Sequence, residues 1–387
     1  MRVLVVNAGS SSLKLRVLDE ADRVTGSADL PVNGGAADAA AMEPALASLG
    51  EVDAAGYRIV HGGTRFTAPV RIGGGVLARL RALTDLAPLH QPKSLAAVAA
   101  VQRALPGLPG VACFDTAFHA SIPAAAATYA LPREWRQRWD LRRYGFHGLS
   151  HAYCSRRAAE LAGQAAGRVV TCHLGAGASL AAVRDGVSVD TTMGFTPLEG
   201  LVMATRSGSV DPGLVLWLAE HAGTPPAELA ATLEHRSGLL GLAGTADMRA
   251  VEAAVAEGDQ DARLALDVYT HRLRAGIAAM AAALGGLDVL VFTGGVGENS
   301  PRVRAEAADG LAFLGVGIDA ALNTAPATSP PAGHGSVPAP AGPDGATGAD
   351  REIGRHGAPV RTFVIAARED IEIAGQVRAV LAGTGTG

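Results

Sequence analysis

Val3-Leu4-Val5-Val6-Asn7-Ala8-Gly9-Ser10-Ser11-Ser12-Leu13-Lys14 opens the chain as an apolar run that enters a glycine turn, then three hydroxyls, then a cation on the following segment. The apolar run reads as a strand and is far too short for a signal peptide or a membrane span. The turn offers backbone N–H groups. With the hydroxyls and Lys14 it makes an oxygen-rich, singly cationic cradle suited to phosphoryl oxygens and a hydrated Mg²⁺. It is not a Walker loop, because GxxxxGK[ST] is absent and a strand, not a helix, comes next. Taken alone, a serine-rich hairpin turn fits the same letters.

Two later segments echo it. Val169–Gly175 (VVTCHLG) and Val289–Gly295 (VLVFTGG) are again buried-looking strands that end in glycine. Three such devices suggest three backbone loops converging on one anionic ligand. Gly297-Glu298-Asn299-Ser300-Pro301 should open a helix, whose positive end suits an anion or a nucleobase. Between these points the pattern predicts strands over 2–7, 13–18, 169–174, 180–184, 288–293 and 360–365. Helices are predicted over 92–104, 149–163, 212–222, 261–284 and 301–311. Asp211-Pro212 and Ser300-Pro301 read as an N-cap followed by proline at the first helical position. Alternating strands and helices make the chain an α/β protein.

Composition narrows the function classes. With 387 residues and 48% hydrophobic residues, two or three cored domains are expected. A net charge of −4, from 33 basic and 37 acidic residues, supplies no basic field for nonspecific nucleic-acid binding. The only lysines are Lys14 and Lys93, so nearly all positive charge is guanidinium. Cys113, Cys154 and Cys172 are odd in number and lack CxxC spacing, which predicts buried reduced thiols and a cytoplasmic location. Asn323 to Asp350 is dominated by Ala, Pro, Gly, Ser and Thr and reads as a mobile surface loop.

Charged and imidazole side chains in glycine-rich surroundings complete the candidates. Arg58 starts the apolar run Arg58-Ile59-Val60, His147 stands in Tyr144-Gly145-Phe146-His147-Gly148, and Arg206 in Thr205-Arg206-Ser207-Gly208. Two arginines and a histidine can bind a carboxylate and stabilise equatorial phosphoryl oxygens. Structural ion pairs and a satisfied core histidine are the plainer alternatives. Asp115, just after apolar residues, should meet a cation such as an arginine, because an unpaired buried carboxylate is costly.

Taken in order, these motifs resemble the acetate kinase family nearly end to end. They are NAGSSSLK (Asn7–Lys14), RIVHGG (Arg58–Gly63), PLHQP (Pro88–Pro92), FDTAFH (Phe114–His119), YGFHGLSH (Tyr144–His151), HLGAGAS (His173–Ser179), MGFTPLEG (Met193–Gly200), TRSGSVDPG (Thr205–Gly213) and GGVGEN (Gly294–Asn299). The resemblance implies two duplicated ribonuclease H-like, actin-like ATPase domains around mixed five-stranded sheets with an interdomain cleft. Residues 1–117 with 368–387 would form the first, and 118–367 the second. It implies a cytoplasmic homodimer that moves the γ-phosphoryl of ATP, with Mg²⁺ or Mn²⁺, to acetate, and that binds neither nucleic acid nor membrane. Propionate is the neighbouring acceptor, and a non-catalytic actin-like switch the distant alternative.

Carried onto this sequence, the resemblance places Asn7 and Glu369 at the metal and Ser10, Ser12 and Lys14 by the phosphates. Arg58 would take the acetate carboxylate, with Val60, Leu89, Phe146 and Pro197 around its methyl group. Asp115, His147 and Arg206 would be catalytic. The nucleotide would meet His173, Leu174, Gly175, Ala176 and Gly177, then Asp247, Met248 and Arg249, then Gly295, Val296, Gly297, Glu298 and Asn299. Acetate is already ionised at neutral pH, so Asp115 is expected to orient an arginine or water rather than abstract a proton. Ala176 and Ala178 stand where the family usually has Asn and Ser, and Ala204 where it has Gly. Roughly thirty residues are missing between Asp19 and Gly56, judged by motif spacing.

Overall fold

The computed structural model describes residues 1–9, 12–33, 36–37, 39–88, 90–163, 166–326 and 350–383. Thirteen strands fall into two sheets among the described residues. The first holds β1 (Val3–Ala8), β2 (Ser12–Leu18), β3 (Val24–Asn33), β4 (Ala36–Ala37), β5 (Ala54–Ile59), β6 (Val70–Arg71) and β7 (Gly110–Phe114), in the order β4-β3-β2-β1-β5-β7-β6. The second holds β8 (Arg168–Leu174), β9 (Ala178–Arg184), β10 (Val187–Thr191), β11 (Val289–Thr293), β12 (Arg351–Glu352) and β13 (Arg361–Val364), in the order β10-β9-β8-β11-β13-β12.

The sheets repeat one plan. Each starts with an antiparallel meander, β1-β2-β3 or β8-β9-β10. Each then adds two parallel strands on the far side of its first strand, β5 and β7 or β11 and β13. This is the expected duplication. The five-stranded cores are extended by the short edge strands β4, β6 and β12, which pair antiparallel and terminate the ladders. Of the three echoes in the sequence, β1 and β8 occupy equivalent places, but β11 corresponds to β5. The matching turn in the first lobe is therefore Val60-His61-Gly62-Gly63.

Period-two alternation explains how the lobes are joined. In β1, Leu4 and Val6 face the core of the first lobe, whereas Val3 and Val5 face a central cluster. In β11, Leu290 and Phe292 face the core of the second lobe, while Val289 and Val291 face that same central cluster. Because both faces are covered, these strands are apolar throughout. Two helices fill the centre and pack on each other, Gly148–Ala162 against β8 and β11, and Glu369–Leu381 against β1, β5 and β7. Leu149, Cys154 and Ala158 of one meet Ile373, Ala374 and Val377 of the other in the central cluster. The chain thus leaves the second sheet to place its last helix on the first.

The predicted strands and helices all form, with shifts of one or two residues at their ends. Asp211 caps its helix by accepting from Gly213 N–H, and Ser300 caps the next by accepting from Val303 N–H. The three cysteines are buried and unpaired. Among the described residues no helix is long and apolar enough to cross a membrane.

One boundary needs correction. Asn323 and Asp350, read as ends of a surface loop, are both buried. The Asn323 side chain accepts from Arg304 Nε at 2.7 Å and donates to the Pro301 carbonyl at 2.8 Å. Asp350 accepts from Arg157 Nε at 2.6 Å and from Ala366 N–H at 3.1 Å. Composition hid these contacts because each rests on one polar residue. Residues 327–349 lie outside the described residues.

Close approach of the last helix depends on Gly56. A β-carbon there would stand 2.5 Å from Ile373 Cγ2 and 2.7 Å from Val377 Cγ2. Gly56→Val is expected to lose ~1–3 kcal/mol of unfolding free energy in urea. Gly375→Ala, on the same helix with nothing within 4 Å of the added carbon, is expected not to lose stability.

Candidate active site

The C-terminal tips of β1, β5 and β7 and the first turn of Glu369–Leu381 meet at one point. Asn7, Arg58, Asp115 and Glu369 converge there from distant parts of the sequence. Arg58 donates to Asp115 from Nε at 3.0 Å and 3.1 Å and from Nη2 at 2.6 Å. Its Nη1 donates to Asn7 Oδ1 at 3.1 Å, and Asn7 Nδ2 donates to Glu369 Oε2 at 3.1 Å. Glu369 Oε2 also stands 3.8 Å from Arg58 Nε. Lys14 is directly across the β1–β2 ladder from Asn7. Arg58 is one residue from the end of β5, which brings its guanidinium to the tip.

Little water reaches this cluster; the side chains of Arg58 and Asp115 are 17% and 2% exposed. Burial works against the Arg58 cation, but Asp115 and Glu369 outweigh it and raise its pKa. Burial pushes the Asp115 carboxyl up against the pull of Arg58. For Glu369 the balance goes the other way: burial would raise it, yet Arg58, His173, Asn7 and Lys14 together hold it below the usual carboxylate range. The four groups that lower Glu369 come from β5, β8, β1 and β2.

The second lobe contributes from the opposite side. His147 precedes Gly148–Ala162 with φ of +56°, a left-handed conformation that is strained in a residue other than glycine. Gly148 N–H donates to the Asp115 carbonyl at 2.8 Å, and a β-carbon on Gly148 would stand 2.2 Å from that oxygen. This contact fixes His147 beside the tip of β7. Its ring stacks on His173 at 4.3 Å between centroids. Arg206 Nη1 donates to the Pro197 carbonyl at 3.1 Å. Arg206 and His147 both flank Gly177, where a β-carbon would meet each at 3.3 Å. Val60 and Phe146 share one apolar cluster, although they come from different lobes.

Behind Arg206 a cleft of about 1010 Å³ opens, lined by Gly175, Ala176, Arg206, Asp247, Met248, Arg249, Gly295, Val296 and Asn299 of the expected residues. It also takes in Ala204, the departure from glycine, and Glu234, Leu239 and Tyr269, which the sequence motifs did not mark. Leu174 and Gly297 do not line it; both are buried. Glu298 faces away, its carboxylate accepting from Gly294 N–H at 2.9 Å and Ala367 N–H at 3.0 Å. The segment from Gly294 is already helical, Gly294–Asn299, one turn earlier than the sequence suggested. Ser12 begins β2, and its carbonyl closes the turn by accepting from Gly9 N–H at 2.8 Å. Ser10 and Leu89 lie outside the described residues.

The model of the acetokinase family matches residues 32–333 of this chain. The chain belongs to the acetokinase family. Acetate kinase of Clavibacter michiganensis is 43% identical over 413 aligned residues, covering 98% of this chain and 99% of its own. Acetate kinase of Nostoc punctiforme is 50% identical over 278 residues, 71% of this chain and 68% of its own. Among solved structures, Porphyromonas gingivalis acetate kinase superposes with a TM-score of 0.84 at 35% identity, covering 98% of this chain and 99% of the other. A propionate kinase from Francisella tularensis does so equally well, with a TM-score of 0.84 at 34% identity and coverage of 97% and 98%. Acetokinases are phosphotransferases with a carboxyl acceptor, and this chain is such an enzyme.

Two features of this acetokinase bear on its departures. Ala178 is fully buried in β9, and Ala204 N–H donates to the Ala176 carbonyl at 3.1 Å. The backbone turn survives the loss of side chains at 176 and 178. Asp247 is an N-cap that accepts from Arg249 N–H at 3.0 Å, so it orders the rim of the cleft.

Asp115→Asn should retain more activity than Asp115→Ala, with an unchanged pH–rate profile, because the Asp115 side chain holds Arg58 in place. Asp115→Ala should cost ~3–5 kcal/mol of stability by stranding a buried cation; urea unfolding and an acetyl phosphate assay check both. A second expectation concerns acid. Burial lowers His61 and His119 to about 4 from the ordinary 6.5. Between those values the unfolded chain binds protons that the folded chain refuses, so stability is full above the upper value and falls as pH drops toward the lower. Urea midpoints at pH 5 and 7 should differ in that sense, and less so in His119→Gln.

Proposed function

We propose that this chain transfers the γ-phosphoryl group of ATP reversibly and directly, in line, to acetate, giving acetyl phosphate and ADP. The observation that carries this reading is the position of Arg58. It is a buried guanidinium anchored by Asp115, close to the Val60–Phe146 apolar cluster, on the side of the cleft facing His147 and Arg206. That arrangement suits a small carboxylate with an apolar tail. An ionised acetate oxygen needs no base, so the work left is placement and charge neutralisation. Arg58 holds the acceptor. His147 and Arg206, on either side of Gly177, present N–H donors to the transferring phosphoryl oxygens. The cleft beside Asp247 and Gly295 takes the nucleotide.

Asn7 and Glu369 would hold Mg²⁺. Their donors are hard oxygens, and the Glu369 carboxyl is held below the usual carboxylate range. That fits a hard cation which keeps water and phosphate as its other ligands. When bound, the ion would neutralise phosphate charge.

The domain boundaries that go with this reading are 117/118, between β7 and β8, and 367/368, between β13 and the last helix. A homodimer in the cytoplasm completes it. Leu214, Leu216 and Trp217 on the helix Pro212–His221 are 49%, 62% and 52% exposed, an apolar face that suits a second copy.

Propionate is the second reading, supported by the Francisella propionate kinase structure. One methylene in an apolar pocket changes discrimination by only ~1–3 kcal/mol. We expect kcat/KM to rank acetate above propionate and both well above butyrate and formate in a hydroxamate assay. No product from MgATP with any of the four would sink the kinase reading in favour of a nucleotide switch. Arg206→Ala is expected to lower kcat by ~10³-fold, as for a missing arginine finger; a change confined to the KM for ATP would overturn its role.

A further inference from the structure

Behind His147 lie three buried polar side chains that the reaction, as described, does not use. His147 Nδ1 is 2.9 Å from Ser179 Oγ, and Ser179 Oγ is 2.8 Å from His151 Nε2. His151 Nδ1 is in turn 2.7 Å from Thr171 Oγ1. Ser179, His151 and Thr171 are each 0% exposed. The file of groups runs from the cleft through β9 and the helix Gly148–Ala162 to the middle of β8.

Counting protons fixes its direction. A hydroxyl owns one proton, and a neutral imidazole owns one. Both imidazoles are neutral: burial holds each well below the ordinary histidine value, with neighbouring His173 adding to the effect on both. Among the described residues, the Thr171 hydroxyl has a single hydrogen-bond partner, His151. Were it to accept, its own proton would be buried with nothing to receive it, at ~1–3 kcal/mol. It therefore donates to His151 Nδ1. The His151 proton is then on Nε2 and goes to Ser179 Oγ. The Ser179 proton goes to His147 Nδ1. What remains is the proton of His147, on Nε2, the nitrogen that flanks Gly177 opposite Arg206.

We infer that Thr171, His151 and Ser179 are positioning residues that lock His147 as its Nε2–H tautomer, so that it offers the cleft a donor and not a lone pair. The opposite polarity would orphan Thr171 and aim a lone pair at an anionic oxygen. The kinetic consequence rests on the proposed role of His147 toward phosphoryl oxygens. The tautomer itself is a property of the resting protein and does not.

Two readouts separate them. Long-range ¹H–¹⁵N spectra of ¹⁵N-histidine protein, with His147 assigned by loss of its peaks in His147→Gln, should show a pyrrole-type Nε2 and a pyridine-type Nδ1 at pH 7.5. In Thr171→Val, which keeps the shape and removes the hydroxyl, the two signals should move toward each other as both tautomers populate. The kcat should fall by roughly tenfold, less than the ~10²–10³ for deleting an oxyanion donor outright, with the KM for acetate unchanged. Thr171→Ser should restore both. A pyrrole-type Nδ1 or an imidazolium in the wild-type spectrum overturns the inference, even if Thr171→Val fails to fold. Unmoved signals with wild-type kcat in Thr171→Val overturn it too. An Nε2–H tautomer in a protein that makes no acetyl phosphate leaves the relay standing and removes the proposed function instead.

Discussion

A guanidinium almost sealed from water must be answered by negative charge, and the way Arg58 is answered organises this molecule. Asp115 takes it through Nε and Nη2 at the tip of the neighbouring parallel strand, and Glu369 approaches from the helix that returns from the far lobe. Asn7 closes the ring by accepting from Arg58 and donating to Glu369. Taking both charges out of water is tolerable only with this geometry. The strand order β1-β5-β7 is what sets the three tips side by side. Without the final helix the ring would lack Glu369.

The histidines show the complementary solution. Where the first lobe pairs its buried charges, the second holds a group of imidazoles. His119, His147, His151 and His173 all have pKa values lowered first by burial, and each is held by a hydroxyl: Ser188, Ser179, Thr171 with Ser179, and Ser150. A neutral imidazole with a defined tautomer has a fixed dipole and no proton to lose as the ligand's charge changes. The first lobe therefore brings paired ions to the site, and the second sets oriented imidazoles beside Arg206.

Much of this was legible in the amino-acid sequence. The β-branched runs of β1, β8 and β11 betray themselves, as do the proline-marked helix starts at Pro212 and Pro301. The strands β5 (AAGYRI) and β7 (GVACF) escaped a pattern reading because alanine and glycine carry little strand preference. Their small residues exist for the helix that packs on them, and that pressure is tertiary. Glu369 could be placed only by resemblance, since nothing local distinguishes it from its acidic neighbours Asp370 and Glu372. Glu298 looked like a ligand residue and is a backbone anchor, because a carboxylate after glycines reads the same in both uses. The hydroxyl relay was invisible: Thr171 and Ser179 are ordinary strand residues until register places His173 opposite Ser179 and the helix lays His151 across both.

The two helices at the centre of the molecule each begin at a residue of the candidate site. One starts immediately after His147, the other with Glu369, and their bodies lie against each other between the sheets. The spacing of that imidazole and that carboxylate, which belong to different lobes, is thus set through an apolar seam between two helix bodies.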